Sequence, residues 1–154
     1  MVKAYKIGPV ADEQVDSAFL LARLSVPALD LEDWRVLCGR VTGAGSDEVT
    51  VAVNGRGYVQ GLAVSRGSPD RVLDVSSFVV VSAADEPGVG LELFRYLRAR
   101  ANGLGCRAIH LRLSDQSERL WPVDVDVAEI EQFLLQSRRS GAEPSQPDAR
   151  PVKT

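Results

Sequence analysis

Residues 71–113 leave the chain few ways to fold. Strand-forming residues run from Arg71 to Val79-Val80-Val81, a small and polar loop follows as Ser82-Ala83-Ala84-Asp85-Glu86-Pro87, and Gly88-Val89-Gly90 opens a segment of helical period. In that segment Leu91, Leu93, Phe94 and Leu97 gather on one side, and the pattern stops near Asn102-Gly103. Arg107 to Leu113 then alternates, with Ile109, Leu111 and Leu113 on one face. Strand, helix and strand in this order predict a parallel crossover, because parallel neighbours need a long connection between them. A helix start flanked by glycines also exposes free N–H groups, and such a concavity suits a phosphate.

The segments before and after it fall into place around that unit. Val2 to Ile7 suits a short strand stopped by Gly8-Pro9. Asp12 is placed to cap a helix with Val15, Ala18, Phe19 and Ala22 at helical spacing, and Pro27 breaks it. Asp30 is a second cap, followed by Trp34, Leu37 and Cys38 as an apolar stripe before Gly39. Val49 to Val53 alternates, Asn54-Gly55-Arg56-Gly57 is hairpin chemistry, and Tyr58 to Val64 returns before a turn at Gly67-Ser68-Pro69-Asp70. The Arg71–Val81 strand is then expected to be central. Val123-Asp124-Val125-Asp126 is too short to classify, and Val127, Ile130, Phe133 and Leu134 mark an amphipathic helix ending near Arg138. Residues 1–139 are expected to form one domain. The Gly, Pro, Ser and charge content of 140–154 cannot build a core, so that segment reads as a flexible tail.

Composition excludes several partners. A formal charge of -3 and a pI near 5.2 give no general attraction to nucleic acid or to an anionic membrane. Cys38, Cys106 and the single histidine, His110, do not fit the spacing of a zinc set, so no metal is expected. The first residues lack an apolar signal core and no later run has membrane-spanning length, which with the cysteine usage points to the cytoplasm.

The order β, α, α, β, β, β, α, β over Val2 to Leu113 resembles the GNAT superfamily of acetyl-coenzyme A-dependent N-acetyltransferases. Its loop pattern, Q/R-x-x-G-x-G/A, is occupied here by Asp85-Glu86-Pro87-Gly88-Val89-Gly90: the two glycines agree and the leading residue does not. Gly61, late in the second hairpin strand, also looks like the family's segment before its central strand. The resemblance implies an α/β fold of the α+β kind, with a mixed, mostly antiparallel central sheet flanked by helices. It further implies that backbone N–H groups of Asp85, Glu86, Gly88, Val89 and Gly90 hold the pyrophosphate of acetyl-coenzyme A, and that the strand end Val79, Val80 and Val81 pairs with pantetheine. The two parallel strands would part beside Val80 and Ser114 to hold the thioester. Counting back six residues from Val80 reaches Asp74, the place of a general base that would free an amine for attack. By residue type and place alone, Asp74 reads first as a solvated or paired acid near a strand start.

The departures from the family are chemical. Pro87 has no N–H to donate, and Asp85 with Glu86 sets two negative charges beside a site for pyrophosphate. Ser114 stands at the family's Asn place and Trp121 at its Tyr place, where Trp cannot act as an acid; the final strand pair has no sequence signal. His110, without a partner in the sequence, reads as a satisfied buried histidine, and Arg95, Arg98 and Arg100 as the solvated face of a helix. The Val127–Leu134 stripe, following a domain without its last strands, has to cover the sheet edge within one chain or pack on a second subunit, and the expectation is a homodimer. Two functions stay open: an acetyltransferase acting on a small-molecule or peptide amine, and a catalytically silent domain of the same fold serving binding or assembly.

Overall fold

The computed structural model describes residues 5–41, 46–81 and 88–142. Asp85, Glu86 and Pro87 of the loop, and residues 143–154, lie outside the described residues. Six strands form one sheet in chain order: β1 (Lys6–Pro9), β2 (Glu48–Val53), β3 (Val59–Gly67), β4 (Val72–Val80), β5 (Ala108–Arg112) and β6 (Glu118–Pro122). Every neighbouring pair is antiparallel except β4 and β5, which run parallel. β4 is interior, as its length and burial predict.

Helices cover both faces. α1 (Val15–Ser25) and α2 (Leu31–Val41) close on Val49, Val51, Leu62 and Val79, while α3 (Gly88–Gly103) and α4 (Val127–Ala142) close on Leu73, Val75, Phe78, Ile109 and Leu111. Asp30 caps α2, its Oδ1 accepting the Asp33 N–H at 2.8 Å. Asp12 does not cap α1. It lies inside a 3-10 turn, Asp12–Gln14, that precedes α1, and the extended residue before the turn is Ala11, whose N–H donates to Gln14 Oε1 at 2.8 Å. α2 continues through Gly39 to Val41, because Trp34, Cys38 and Val41 are buried together and their burial outweighs the roughly 1 kcal/mol that a helical glycine costs.

The hairpin at Asn54 forms as its chemistry predicts. Asn54 Oδ1 accepts from the N–H groups of Arg56 and Tyr58, and Gly57 adopts a φ of +88°. The strand β6 is the element without a sequence signal. It is an edge strand with one buried side chain, Trp121, so no alternation reports it, and its turn from β5 is made by Ser114–Ser117 with Gln116 at a φ of +75° rather than by glycine.

α4 covers the sheet within the same chain. Ile130 and Leu134 are buried and Phe133 meets Trp121 edge-on, ring centroids 5.5 Å apart. The stripe that favours a homodimer is therefore already covered, and a second subunit needs some other surface. α4 also extends past residue 139, to Ala142. Among the described residues no helix is long and apolar enough to cross a membrane.

Two of the arginines that read as a solvated helix face are structural. Arg100 donates to Glu48 Oε1 at 3.1 Å and to the Ser46 carbonyl, and Glu48 Oε2 also accepts from Thr50 Oγ1 at 2.6 Å and Tyr96 Oη at 2.8 Å. Arg98 donates to the Val125 carbonyl at 2.9 Å, tying α3 to the segment that leads into α4. Arg95 is the exposed one, paired with Glu92.

Candidate functional site

The site is built where β4 and β5 part. Their parallel register runs from Val72 with Ala108 to Val75 with Leu111 and stops there, although β4 continues for five residues. The cause is visible on the other side of β4. Val64 pairs with Ser77 and Ser65 with Val75, so Ser76 is an extra residue, and a bulge of this kind bends its strand and sharpens the twist.

Beyond the bulge β4 stays bonded to β3, with the Val81 N–H donating to the Gln60 carbonyl at 2.8 Å. Alternation along an antiparallel pair then aims the Val79 N–H at β3 and the N–H groups of Phe78 and Val80 away from it, into the gap. Two main-chain donors thus face the side on which β5 is no longer paired with β4. An extended amide chain could take the place of the missing strand.

The start of α3 stands beside this opening. Val89 and Gly90 are buried, and a Cβ placed on Gly90 would lie 3.1 Å from Leu134 Cδ1 of α4 and 3.8 Å from Val80 Cγ1. Gly61 has a similar role on β3: a Cβ there would meet Ala52, Leu93 and Val89 at 3.4–3.5 Å, so its absence lets α3 close on the sheet. The first turn of α3 carries no acidic residue, and it leaves the orphan N–H groups of any helix start near the end of β4.

Asp74 lies one rung below the parting. It is half exposed and paired, its Oδ1 3.0 Å from His110 Nδ1. His110 is not buried; its Nε2 reaches Glu118 Oε1 at 2.9 Å, and Glu118 Oε1 also accepts from Arg112 Nη2 at 3.1 Å. The Arg112 hydrogen bond, with its charge, holds the Glu118 carboxyl below the usual range, and His110 adds to this. The row crosses β4, β5 and β6 on the face that carries α1. Sequence reasoning missed Glu118 and Arg112 because the strand β6 that brings them into line was itself without a signal.

The other predicted residues are placed less tightly. Val80 is half-buried and Val81 exposed at the end of β4, Ser114 sits in the β5–β6 turn, and Trp121 is buried in β6. Asp85 and Glu86 lie outside the described residues.

No protein-family model matches the chain, and no curated relative does. Solved structures do match. A GCN5-related N-acetyltransferase from Kribbella flavida is 27% identical, with a TM-score of 0.58 over 88% of this chain and 81% of that one. AAC(6')-Iy, solved with the bisubstrate analogue CoA-S-monomethyl-acetylneamine, is 13% identical, with a TM-score of 0.61 over 97% of each chain. A GNAT-superfamily phosphinothricin acetyltransferase from Sinorhizobium meliloti, in complex with AcCoA, is 20% identical, with a TM-score of 0.57 over 70% of this chain and 64% of that one. With its mixed six-stranded sheet, its parallel β4–β5 pair and the helix crossing between them, the chain has the fold of the GNAT N-acetyltransferases that it resembles.

Proposed function

We propose that this protein is an N-acetyltransferase that moves the acetyl group of acetyl-coenzyme A to an amine by direct attack. The observation that carries the reading is the parting of β4 and β5 after Val75 and Leu111, with the Phe78 and Val80 N–H groups facing the gap and the α3 N-terminus beside it. Val79, Val80 and Val81 would carry the strand edge that pairs with pantetheine. The N–H groups of Gly88, Val89 and Gly90 would receive the pyrophosphate, joined by Asp85 and Glu86 to the extent that their carboxylates turn away from it. The amine lone pair forms the C–N bond to the thioester carbonyl carbon, the C–S bond breaks, and the thiolate leaves with a proton.

The acceptor is proposed to be a small-molecule or peptide amine, and Asp74, which is paired with His110 one rung before the last parallel one, would remove its proton. Phosphinothricin and aminoglycoside acetyltransferases are among the proteins of similar structure, which agrees with a small amine.

Calorimetric titration with acetyl-coenzyme A tests the proposal. The wild type should bind weakly, and Asp85→Arg with Pro87→Lys should tighten binding about tenfold, or ~1.4 kcal/mol, by restoring a cation and an N–H donor. Gly88→Val should abolish it by blocking close approach. No binding in the wild type and no gain in the repaired loop would leave a silent domain of this fold as the reading.

A further inference from the structure

β6 ends the sheet, and its bonds to β5 fix which of its main-chain groups point outward. The Leu113 N–H donates to the Ser117 carbonyl at 2.8 Å and the Val123 N–H to the Arg107 carbonyl at 2.9 Å, with Leu111 opposite Arg119 and Ile109 opposite Trp121 between them. Alternation in an antiparallel pair therefore turns the main-chain groups of Arg119 and Trp121 to β5 and those of Glu118, Leu120 and Pro122 away from it. Among the described residues no further strand takes them up. Leu120, at the centre of this edge, leaves 59% of its surface exposed. The opposite edge is guarded. β1 has four residues, and because the Val10 N–H donates to the Val49 carbonyl, Ile7 and Pro9 are the outward pair, of which Pro9 has no N–H.

We propose that β6 pairs antiparallel with β6 of a second copy of this chain, in the register that sets Leu120 opposite Leu120 and joins the two sheets edge to edge. A two-fold axis allows few registers, and charge separates them. Centring the pair on Glu118 or on Arg119 sets like charges directly opposite, which destabilises a ladder. Centring it on Trp121 sets Glu118 opposite Asp124 and Leu120 opposite Pro122, which has no N–H to return the bond. Centring it on Leu120 gives that residue both of its main-chain bonds and lets each Glu118 N–H reach a Pro122 carbonyl. On one face the exposed leucines then cover each other. On the other face Arg119 comes opposite Trp121, and its guanidinium already stands 4.6 Å from the indole centroid within one chain. A five-residue strand pair buries less than the ~1,600 Å² of a standard interface, so the dimer is weak, with a dissociation constant on the order of 10 μM. The pairing does not depend on whether the chain transfers acetyl.

Sedimentation velocity of the full chain between about 2 and 500 μM, with residue-resolved amide exchange at both ends of that range, tests the pairing. The chain should pass from mostly monomer to mostly dimer. The Glu118 and Leu120 amides should exchange at least about threefold more slowly at the high end, while those of Arg119 and Trp121, bonded to β5 in either state, stay within about twofold. Leu120→Lys, a change at an exposed position, should leave the urea midpoint at about 2 μM where it is and weaken association about tenfold or more, because it sets two cations opposite each other. A monomer throughout the range overturns the proposal, as does association that leaves Glu118 and Leu120 exchange unchanged or that Leu120→Lys does not weaken. Slow exchange of both amides in a chain that stays monomeric would mean that residues 143–154 or another part of the same chain cover the edge, and this overturns it too.

Discussion

Val75 of β4 and Leu111 of β5 are the last residues held in parallel register, and beyond them Phe78 and Val80 turn their N–H groups away from β3, to the side on which β5 is no longer paired. Amide exchange follows from this. In the free protein the Phe78 and Val80 amides should exchange faster than that of Val79, which is bonded toward β3. Acetyl-coenzyme A should slow the first two about tenfold or more and leave Val79 nearly unchanged. Equal protection of all three in the free protein would show that the gap is closed.

Gly90 and Leu134 are matched in shape. A Cβ at Gly90 comes within 3.1 Å of the buried Leu134 side chain, so Gly90→Val should destabilise by about 1–3 kcal/mol through overpacking. Leu134→Ala should cost about 2–5 kcal/mol through the cavity it leaves. Combined, the two should cost less than their sum, since each relieves the other, and urea denaturation of all three variants measures the coupling. Simple additivity would mean that α4 does not seat on the start of α3.

The Glu48 network should set both stability and its alkaline limit. Glu48 and Arg100 side chains are about 14% and 15% exposed, and Glu48→Ala strands the Arg100 charge, which should cost about 3 kcal/mol. Burial, followed by the Glu48 hydrogen bond, pushes the Tyr96 hydroxyl up to about 12, and burial pushes the Cys38 thiol up to about 11. Both groups are neutral in the fold and ionise more readily when unfolded. Their contribution is therefore complete below the unfolded values, near pH 9 for the thiol, and is lost as pH rises through the folded values. The urea midpoint should fall from about pH 9 upward; Cys38→Ala should remove the first part of that slope and Tyr96→Phe the later part.

Two glycines without neighbours separate backbone strain from packing. A Cβ added to either Gly57 or Gly39 would meet no atom within 4 Å, but Gly57 holds a φ of +88° while Gly39 sits inside α2. Gly57→Ala should lose roughly 1 kcal/mol, and Gly39→Ala should gain about 0.5–1 kcal/mol from helix propensity. Thermal melts with the same sign for both would refute the assignment of the turn.

Elements whose signal is local can be read directly from the residues. The hairpin at Asn54, the cap at Asp30, the β4–α3–β5 unit and the stripe of α4 are legible because turn chemistry and periodicity act over a few residues. The remaining features depend on contacts between distant segments. Which residues face His110 depends on the register of three strands, so Asp74, His110 and Glu118 meet only when β4, β5 and β6 are aligned. The strand β6 carries one buried residue and no alternation, and its existence follows from pairing with β5. The Val127–Leu134 stripe states that α4 must be covered without stating by what, and burial of Ile130 and Leu134 against the same chain supplies the partner. Arg100 reads as a surface charge until folding sets Glu48 beneath it. Long-range pairing is chosen by the free energy of the whole core, and a window of sequence does not hold that information.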